Sequence, residues 1–282
     1  MPELPEVETV ANGVNARVRG ERIVSVRLSR YKEPFKTSRA EMADALPGLR
    51  IERVYREGKH IVFDLGGPDG KNQKAVPHKM VQWIVHLGMT GRLLVSAPEV
   101  PVPDHTHAAL SLSGGRELRF VDARRFGRLA LHSVSPEGAG FRGPGREPLS
   151  ISEDDFVALF RGRKLAIKAA LLNQRLLHGV GNIYADESLF RAGIRPISIA
   201  GRLSRARLLR LHAALQEILR KAIELGGSSV SDYVDADGVA GFFQLEHRVY
   251  MRTGQPCLIC GRPIHKIVLA GRGTHFCLHC QR

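Results

Sequence analysis

Aromatic residues and cysteines are scarce in this 282-residue chain, and long apolar runs are missing. Phe, Trp and Tyr together make up 6% of the residues, and there are four cysteines, all between Cys257 and Cys280. Such clustering excludes a disulfide framework spread over the chain. No stretch approaches the ~18 apolar residues of a membrane helix. The N-terminus carries Glu3, Glu6 and Glu8 instead of an apolar signal core, which predicts a cytoplasmic protein.

Acidic residues are also few relative to basic ones. Lys and Arg number 42 against 28 Asp and Glu, which gives a net charge of +14 and a pI near 10.2. The hydrophobic fraction of 43% is that of a globular protein, and the length suffices for two compact domains. The excess charge favours nucleic acid over a neutral metabolite as the partner, with a merely solvated basic surface as the alternative.

Two periodicities divide the chain and predict an α+β protein. Apolar residues at helical spacing follow Pro5 and end at Gly20, which predicts an N-terminal helix. A period of two follows in several short segments, typified by Val24, Val26 and Leu28, and predicts a β-sandwich over residues 1–133. Four helical segments are then expected near residues 152–161, 165–174, 182–192 and 202–225.

Composition marks the remaining boundaries. Residues 134–150 are rich in Gly and Pro and predict a linker. A helical domain is expected over 151–245, and its last part, 226–245, is rich in Gly, Ser and Asp and predicts a mobile loop. Residues 246–282 form a cysteine module.

The cysteine module has the pattern C-x2-C, sixteen residues, C-x2-C. Four thiolates complete a closed tetrahedral zinc site, which predicts one structural Zn²⁺ rather than a catalytic ion. Disulfides or free thiols are the alternative. The ligands expected are Cys257, Cys260, Cys277 and Cys280. The segment between the two pairs predicts a basic hairpin with Arg272 at its turn.

A Gly-rich corner precedes the third helical segment. Asn182 suits a helix N-cap, and a capped helix start with free N–H groups can bind a phosphate. We expect Lys164 and Lys168, on the preceding helix, to add positive charge. An ordinary corner between two helices explains the same residues equally well.

The N-terminus itself is a candidate reactive group. Removal of Met1 would expose the secondary amine of Pro2, and terminal amines titrate near pH 8, far below lysine. Such an amine can condense with a sugar aldehyde carbon, with Glu3 as general acid or base. From these residues alone, a frayed terminus is the simpler interpretation.

Several motifs together resemble one family. They are PELPEVETV at the start, LGMTGRL at 87–93, DARRFGR at 122–128, GVGNIYADESLF at 179–190 and the four-cysteine finger. In this order they resemble the bacterial formamidopyrimidine-DNA glycosylases, which remove oxidised purines from DNA. The resemblance implies an N-terminal β-sandwich, a helix–two-turns–helix domain and a zinc finger, with DNA in the cleft between the halves.

The resemblance also implies roles for individual residues. It implies Pro2 as the nucleophile at the deoxyribose C1′, Glu3 as the acid at the ring oxygen and Lys59 as a hairpin lysine beside the damaged nucleotide. The residues that fill the gap left by the extruded base are implied to be Met89, Arg124 and Phe126. The implied phosphate ligands are Asn182 and Arg272, with His105, Arg125 and Lys164 as further candidates.

The implied reaction is excision of 8-oxoguanine or a formamidopyrimidine through a Schiff base, followed by β- and δ-elimination. A relative that prefers oxidised pyrimidines is the first rival interpretation, although Leu4 favours the purine branch. Ser228 and Ser229 stand where threonines are common in the base-covering loop. The chain could also be a non-catalytic binder of damaged DNA or a basic RNA-binding protein. We expect a monomer acting on double-stranded DNA in the bacterial cytoplasm, associated with the nucleoid through DNA and without a membrane partner.

Overall fold

The structure, a computed structural model, describes residues 1–67, 80–134, 140–229 and 233–282. It divides into two compact units, of which the first comprises Met1–Arg142 with Ser228–Gly241. The second comprises Gly143–Gly227 with Phe242–Arg282. The predicted boundaries at 133, 150 and 245 stay predictions. Parts of the predicted linker and loop, residues 135–139 and 230–232, lie outside the described residues.

Helix α1 (Leu4–Val18) opens the first unit where the sequence predicted a helix. Pro5 lies in its first turn, where a missing N–H leaves no hydrogen bond unmade. The helix ends before Gly20, which adopts φ +86°, a left-handed conformation that glycine tolerates. The buried face of α1 is lined by Val7, Val10, Ala11, Val14 and Val18.

Two four-stranded antiparallel sheets form the predicted β-sandwich. The first contains, in spatial order, β1 (Ile23–Leu28), β6 (Thr106–Leu112), β7 (Glu117–Val121) and β5 (Arg92–Ser96). The second contains β2 (Arg50–Glu57), β3 (His60–Gly66), β4 (Met80–His86) and β8 (Arg128–Val134). A short helix, α2 (Arg39–Ala45), joins β1 to β2. Both sheets and α1 contribute to one apolar core around Phe63, Trp83 and Phe120.

Strand β1 departs from the predicted alternation. Val24 was expected on the buried face, but it is 60% exposed, whereas Ile23 beside it is buried. The register between β1 and β6 shifts between Ile23 and Ser25, and such an irregularity moves the following side chains to the other face. Val26 and Leu28 then pack partly against the core as expected.

The second unit is helical, with the zinc-finger hairpin at its C-terminal end. Its helices are α3 (Glu153–Phe160), α4 (Ile167–Leu172), α5 (Asn182–Arg191) and α6 (Arg205–Glu224), with 3-10 turns at Ala200–Arg202 and Phe243–Glu246. Helix α4 is shorter than the predicted 165–174. Its start is set by an isolated bridge between Ala166 and Ile199, which draws the preceding backbone into an extended pairing.

The hairpin consists of β9 (His265–Leu269) and β10 (Arg272–Phe276). The residues that flank it, Ile264 and Cys277, belong to a small core with Phe190, Val249 and Cys257. Among the described residues, no helix combines the length and apolar character needed to cross a bilayer. Two sheets in the first unit, and helices with one hairpin in the second, confirm the α+β fold class.

Candidate functional site

The N-terminus is held in place rather than frayed. Pro2 is buried and Glu3 is 5% exposed, whereas Met1 is 49% exposed. The Glu6 carboxylate accepts the Glu3 backbone N–H at 2.8 Å, and the two residues form a capping box at the start of α1. A capping box satisfies backbone groups that would otherwise lack partners, so it fixes the direction in which the chain enters the helix.

Glu6 also fastens a distant segment to this helix start. Its second carboxylate oxygen accepts the Ser228 backbone N–H at 2.8 Å, and the side chain is 2% exposed. The Tyr233 hydroxyl donates to the Glu6 carbonyl at 3.4 Å. Burial and the nearby Glu6 charge raise the pKa of Tyr233, which keeps its phenol protonated as a donor. The sequence analysis missed this role of Glu6, because the capping-box signature begins with a Ser, Thr, Asp or Asn at the N-cap, and here the N-cap is Glu3.

Ser229 forms hydrogen bonds with two residues farther along the chain, Tyr233 and Gly241. Its hydroxyl donates to the Tyr233 carbonyl at 2.9 Å and accepts the Gly241 N–H at 2.8 Å. Farther along, Ala236 is buried in the sandwich core and its carbonyl accepts the Val95 N–H. The Ser229 hydroxyl therefore links the two sides of this segment.

Lys59 lies at the tip of the hairpin formed by β2 and β3, as expected. Glu57 pairs with His60, so Gly58 and Lys59 form the turn, and Gly58 adopts φ +61°. His86 lies opposite His60 on β4. Burial, with the charges of His60 and Lys59, lowers the pKa of His86 to about 4. Because His86 is neutral at neutral pH, it adds no positive charge beside Lys59.

The structure brings the Met89 turn together with the turn that carries Arg124 and Phe126. A Cβ added at Gly88 would lie 2.5 Å from the Gly127 nitrogen, so the two backbones are in direct contact. Met89 is 42% exposed and Phe126 is 48% exposed, rather than buried in the core. The Arg124 guanidinium lies 4.8 Å from the centre of the Phe126 ring. Exposed apolar and guanidinium groups on adjoining turns form a candidate DNA wedge.

One buried carboxylate organises both turns. Asp122 is fully buried, and one of its oxygens accepts the Thr90 hydroxyl at 2.5 Å and the Arg124 N–H at 3.3 Å. The other oxygen accepts the Gly127 N–H at 2.7 Å. The sequence analysis quoted Asp122 within a motif but assigned it no role. Its position directly after a fully buried strand explains why it needs these partners.

His105 and Arg125 lie on the neighbouring loops of the same unit. Both adopt positive φ, +63° for His105 and +57° for Arg125, which is uncommon for residues with a Cβ. The His105 carbonyl accepts the Asp122 N–H at 3.0 Å. Arg125 lies over the Tyr31 ring at 4.7 Å and 3.5 Å from the Glu33 carboxylate. Local backbone hydrogen bonds, the larger cause, and Coulombic attraction to Arg125 lower the pKa of Glu33.

In the second unit, helix α5 begins one residue earlier than predicted, so Asn182 is not its N-cap. The N-cap of α5 is Gly181, and Asn182 is the first helical residue. The prediction of the cap was therefore wrong by one position, because the amide is used elsewhere. Its Nδ2 donates to the Gly273 carbonyl on β10 at 3.0 Å, next to Arg272. Asn182 and Arg272 are thus brought close together, and Arg272 is exposed.

Lys168 does not supply charge for a phosphate. It is fully buried and forms an ion pair with the buried Asp186 at 2.7 Å. Its ammonium also donates to the Gly273 carbonyl at 3.0 Å and the Thr274 hydroxyl at 2.8 Å. The second Asp186 oxygen accepts the His275 N–H at 2.9 Å. An unpaired buried charge would be costly, so this lysine fixes β10 instead of facing solvent.

Lys164 lies in the connection between α3 and α4 rather than on a helix as predicted, and it is exposed to solvent.

Glu187 is a further buried carboxylate that the sequence analysis left unassigned. It accepts the backbone N–H groups of Arg248, Val249 and Tyr250 at 2.8 to 3.0 Å. Its burial raises the pKa of the carboxyl, against the opposing effect of those hydrogen bonds. It fastens the segment that leads into the finger.

The four cysteines converge as predicted. Their Sγ atoms all lie within 4.8 Å of one another, with 3.8 Å between Cys257 and Cys280 and 3.5 Å between Cys260 and Cys277. Zn–S bonds of ~2.3 Å in a tetrahedron place sulfur atoms ~3.8 Å apart, so the cluster fits one Zn²⁺ with no open coordination position. None of the four forms a disulfide.

Comparison with protein families accounts for most of the chain. The N-terminal domain of formamidopyrimidine-DNA glycosylase matches residues 1–129, and the H2TH domain of the same enzyme matches residues 144–234. A zinc finger found in FPG and IleRS matches residues 254–282. The last match and the sulfur geometry confirm the structural zinc site.

Full-length relatives agree. The chain is 44% identical to a formamidopyrimidine-DNA glycosylase of Solibacter usitatus and 40% identical to one of Stenotrophomonas maltophilia, in each case over 100% of both chains. A solved variant of the Lactococcus lactis enzyme, in complex with Fapy-dG-containing DNA, has a TM-score of 0.85 at 34% identity over 100% of both chains. The Thermus thermophilus Fpg protein gives a TM-score of 0.81 at 40% identity, over 99% of this chain and 98% of that one. This chain belongs to the formamidopyrimidine-DNA glycosylase family.

Proposed function

We propose that this chain excises oxidised purines from double-stranded DNA with the Pro2 amine as nucleophile. As a member of its family it is a DNA glycosylase of base-excision repair with AP lyase activity. The assignment of Pro2 as the nucleophile rests on the fixed N-terminus. Pro2 is buried beside a capped helix start, whereas the residue to be removed, Met1, is 49% exposed and accessible to an aminopeptidase.

In the first step, the lone pair of the Pro2 nitrogen forms a bond to C1′ of the damaged nucleotide. The bond between C1′ and the base nitrogen breaks, and the base leaves with its electron pair and takes up the proton that the Pro2 nitrogen releases. An α-amine titrates near 8, so a useful fraction of Pro2 is neutral at cellular pH. A secondary amine gives an iminium ion directly once the sugar ring opens.

Glu3 then acts at the sugar ring oxygen. Its carboxyl donates a proton to that oxygen as the C1′–O4′ bond breaks, which leaves the opened sugar joined to Pro2 as a charged iminium. The iminium withdraws electrons, so loss of a C2′ proton expels the 3′ phosphate, and a second elimination expels the 5′ phosphate. Hydrolysis frees the sugar fragment and leaves a one-nucleotide gap with phosphate ends. The capping box holds Glu3 at the start of α1, directly after Pro2, and this position beside the nucleophile supports the role of Glu3.

We assign Lys59 to the phosphate and sugar of the damaged nucleotide. The two-residue turn presents it at a hairpin tip. His86, whose pKa is lowered to about 4, adds no positive charge there at neutral pH. Met89 and Phe126 fill the space of the extruded base, and Arg124 faces the orphaned partner base. Their exposure on adjoining turns supports this, because a flipped nucleotide costs a few kcal/mol of lost stacking that a wedge offsets.

Phosphate contacts supply affinity without reading sequence. We assign them to Asn182 and Arg272, which lie together at β10, and to Lys164 in the connection between α3 and α4. His105 and Arg125 take the same role on the first unit. The zinc site has no open position, so zinc stabilises the finger and takes no part in the chemistry.

We further propose that the enzyme acts as a monomer in the bacterial cytoplasm, associated with the nucleoid through DNA and without a membrane partner. The net charge of +14 supports association with DNA. Light scattering at micromolar concentration tests the oligomeric state, and a mass of twice 31.1 kDa would contradict it.

Borohydride trapping tests the mechanism. Wild type, Pro2→Gly and Glu3→Gln are incubated with duplexes that carry 8-oxoguanine opposite cytosine, an oxidised pyrimidine or a preformed abasic site. We expect a wild-type adduct with 8-oxoguanine whose peptide mass maps to residue 2. Pro2→Gly should lose the adduct. Glu3→Gln should lose base excision while it still binds the duplex.

The remaining outcomes separate the rival functions. An adduct with the oxidised pyrimidine and none with 8-oxoguanine would assign the chain to the pyrimidine-specific branch. Tight binding without any adduct, with the N-terminus shown by mass to begin at residue 2, would leave a non-catalytic binder.

A further inference from the structure

Two side chains of α1 fasten this helix to β2. The Asn15 side-chain oxygen accepts the Val54 backbone N–H at 2.8 Å. Closer to the helix start, the Glu8 carboxylate accepts the Arg56 Nε–H at 2.6 Å. Glu8 also accepts from Asn12 at 3.3 Å, which orients its carboxylate along the helix. The helix that directly follows Pro2 and Glu3 is therefore tied to the strand that leads to the Lys59 turn.

Arg56, like Arg119, is a buried member of an ion pair in this unit. The side chains of these two arginines are 6% and 0% exposed, whereas those of Arg17, Arg27 and Arg116 are between 32% and 61% exposed. A planar guanidinium can bond in two directions at once: while Arg56 Nε donates to Glu8, Nη1 donates to the Gly58 carbonyl at 3.4 Å. Gly58 directly precedes Lys59 and carries the positive φ of the turn.

We propose that Arg56 and Glu8 are positioning residues. They set the distance and orientation of the Lys59 turn relative to Pro2 and Glu3. This inference rests on the proposed function, since it concerns the placement of three groups assigned there. This series of contacts, here called the relay, runs from α1 through the Glu8 carboxylate and the Arg56 guanidinium to the Gly58 carbonyl. Neither residue needs to touch the nucleotide.

The size of the expected effect follows from the demands of the reaction. A displacement of ~1 Å in a catalytic group can cost about 100-fold in rate while the fold is retained. Apart from the contact proposed for Lys59 itself, the phosphate contacts proposed above lie on other loops and in the other unit. Loss of this relay should therefore lower the rate of base excision and leave DNA affinity nearly unchanged.

The experiment measures single-turnover base excision, affinity for a duplex with a non-cleavable abasic analogue, and thermal stability. The variants are Arg56→Gln, Glu8→Gln, the double variant, and Arg56→Gln combined with Lys59→Met. The matched control is Arg53→Gln, on the same strand, because Arg53 is exposed and stacks on Tyr55 at 4.7 Å. Arg56→Lys keeps the charge but not the two-way geometry, and it serves if Arg56→Gln does not fold.

We expect Arg56→Gln to slow excision about 10- to 100-fold with affinity within about threefold of wild type. The double variant should be no slower than Arg56→Gln, because both substitutions break one relay. In the Lys59→Met background, Arg56→Gln should cost little more, a non-additivity that a purely structural ion pair would not produce. Arg56→Lys should be intermediate, and Arg53→Gln should match wild type.

Three results would overturn the proposal. They are a fully additive loss with Lys59→Met, an equal loss in Arg53→Gln, and a wild-type rate in Arg56→Gln. Each requires wild type to form its Pro2 adduct. If wild type forms none, the proposed function fails first, so the two failures are distinguishable.

Discussion

The two units fix their candidate DNA-contacting groups by different means. In the first, Asp122 gathers neutral N–H and O–H donors of two turns that rest on a large apolar core. In the second, a buried ion pair of Lys168 with Asp186 fixes β10 beside a small core that includes two zinc ligands. The Met89 and Phe126 turns, beside the large core, are shaped by hydrogen bonds to one carboxylate. Strand β10, beside the small core, depends on an ion pair and on metal coordination.

The largest difference between the two units is expected when the metal is removed. Cys257→Ser leaves three thiolates, and zinc binding contributes ~10–16 kcal/mol in isolated finger peptides. We expect the finger to unfold and DNA affinity to fall by at least about 100-fold, because the phosphate contact proposed for Arg272 is lost with it. The first unit, which has its own core, should keep its own thermal transition.

Zinc content, circular dichroism and duplex binding measure these effects. The matched control is Leu258→Ser, because Leu258 adjoins Cys257 and is 55% exposed. It should retain one zinc per chain and wild-type affinity. Wild-type DNA affinity in zinc-free protein would show that the finger is held by packing alone.

The second prediction contrasts two lysines of the same region. Lys168→Met leaves the Asp186 carboxylate buried without its partner, which should cost about 3–5 kcal/mol in the free energy of unfolding. Lys164→Met, outside the buried pair, should change stability by less than about 0.5 kcal/mol. It should instead lower the slope of log affinity against log salt by about 0.9 if Lys164 contacts one phosphate.

Urea unfolding and binding at several salt concentrations measure the two effects. The double variant Lys168→Met with Asp186→Asn should recover part of the lost stability, because no uncompensated charge remains. Equal stability of the two single lysine variants would contradict a stabilising role of the buried pair.

The third prediction concerns acid and compares one histidine from each unit. Burial lowers the pKa of both His86 and His247 to about 4. Unfolding restores an ordinary value near 6.5, so the unfolded chain binds more protons between about pH 4 and 6.5. Stability is full above this window and is lost as the pH falls through it, by up to ~3 kcal/mol per histidine.

Thermal melts from pH 4 to 7.5 measure this loss. His86→Gln should flatten the pH dependence of the first unit, and His247→Gln that of the second. His265→Gln, at an exposed position, should flatten neither. Stability that rises on acidification would mean that the two histidines are charged in the folded state.

The smallest effect is expected at Asp122. Asp122→Asn keeps one acceptor oxygen and loses the other, so either Gly127 or the Thr90 pair loses its bond. The cost should be about 1–2 kcal/mol in stability. The preference for a damaged over an undamaged duplex should also fall, because the wedge turns loosen. Asp44→Asn, at an exposed position, is the control, and an equal loss there would contradict the assignment.

Several features could be predicted because they depend on local chemistry. The N-terminal helix follows from Pro5 and the apolar spacing, and the zinc site follows from two C-x2-C pairs, since each pair binds through a tight turn. The sandwich strands follow from a period of two. The bulge in β1 and the shortening of α4 could not be predicted, because both result from pairing with distant backbone.

The order of amino acids specifies which groups this protein carries: a proline amine at residue 2, four thiolates within residues 257–280, and an excess of positive charge. What each group can do depends on how the chain folds. The tertiary structure buried Lys168 in an ion pair, left Met89 and Phe126 exposed on adjoining turns, and placed Arg56 between α1 and the Lys59 turn. The physical reason is that burial and partnership depend on residues far apart in the chain, which no local pattern records.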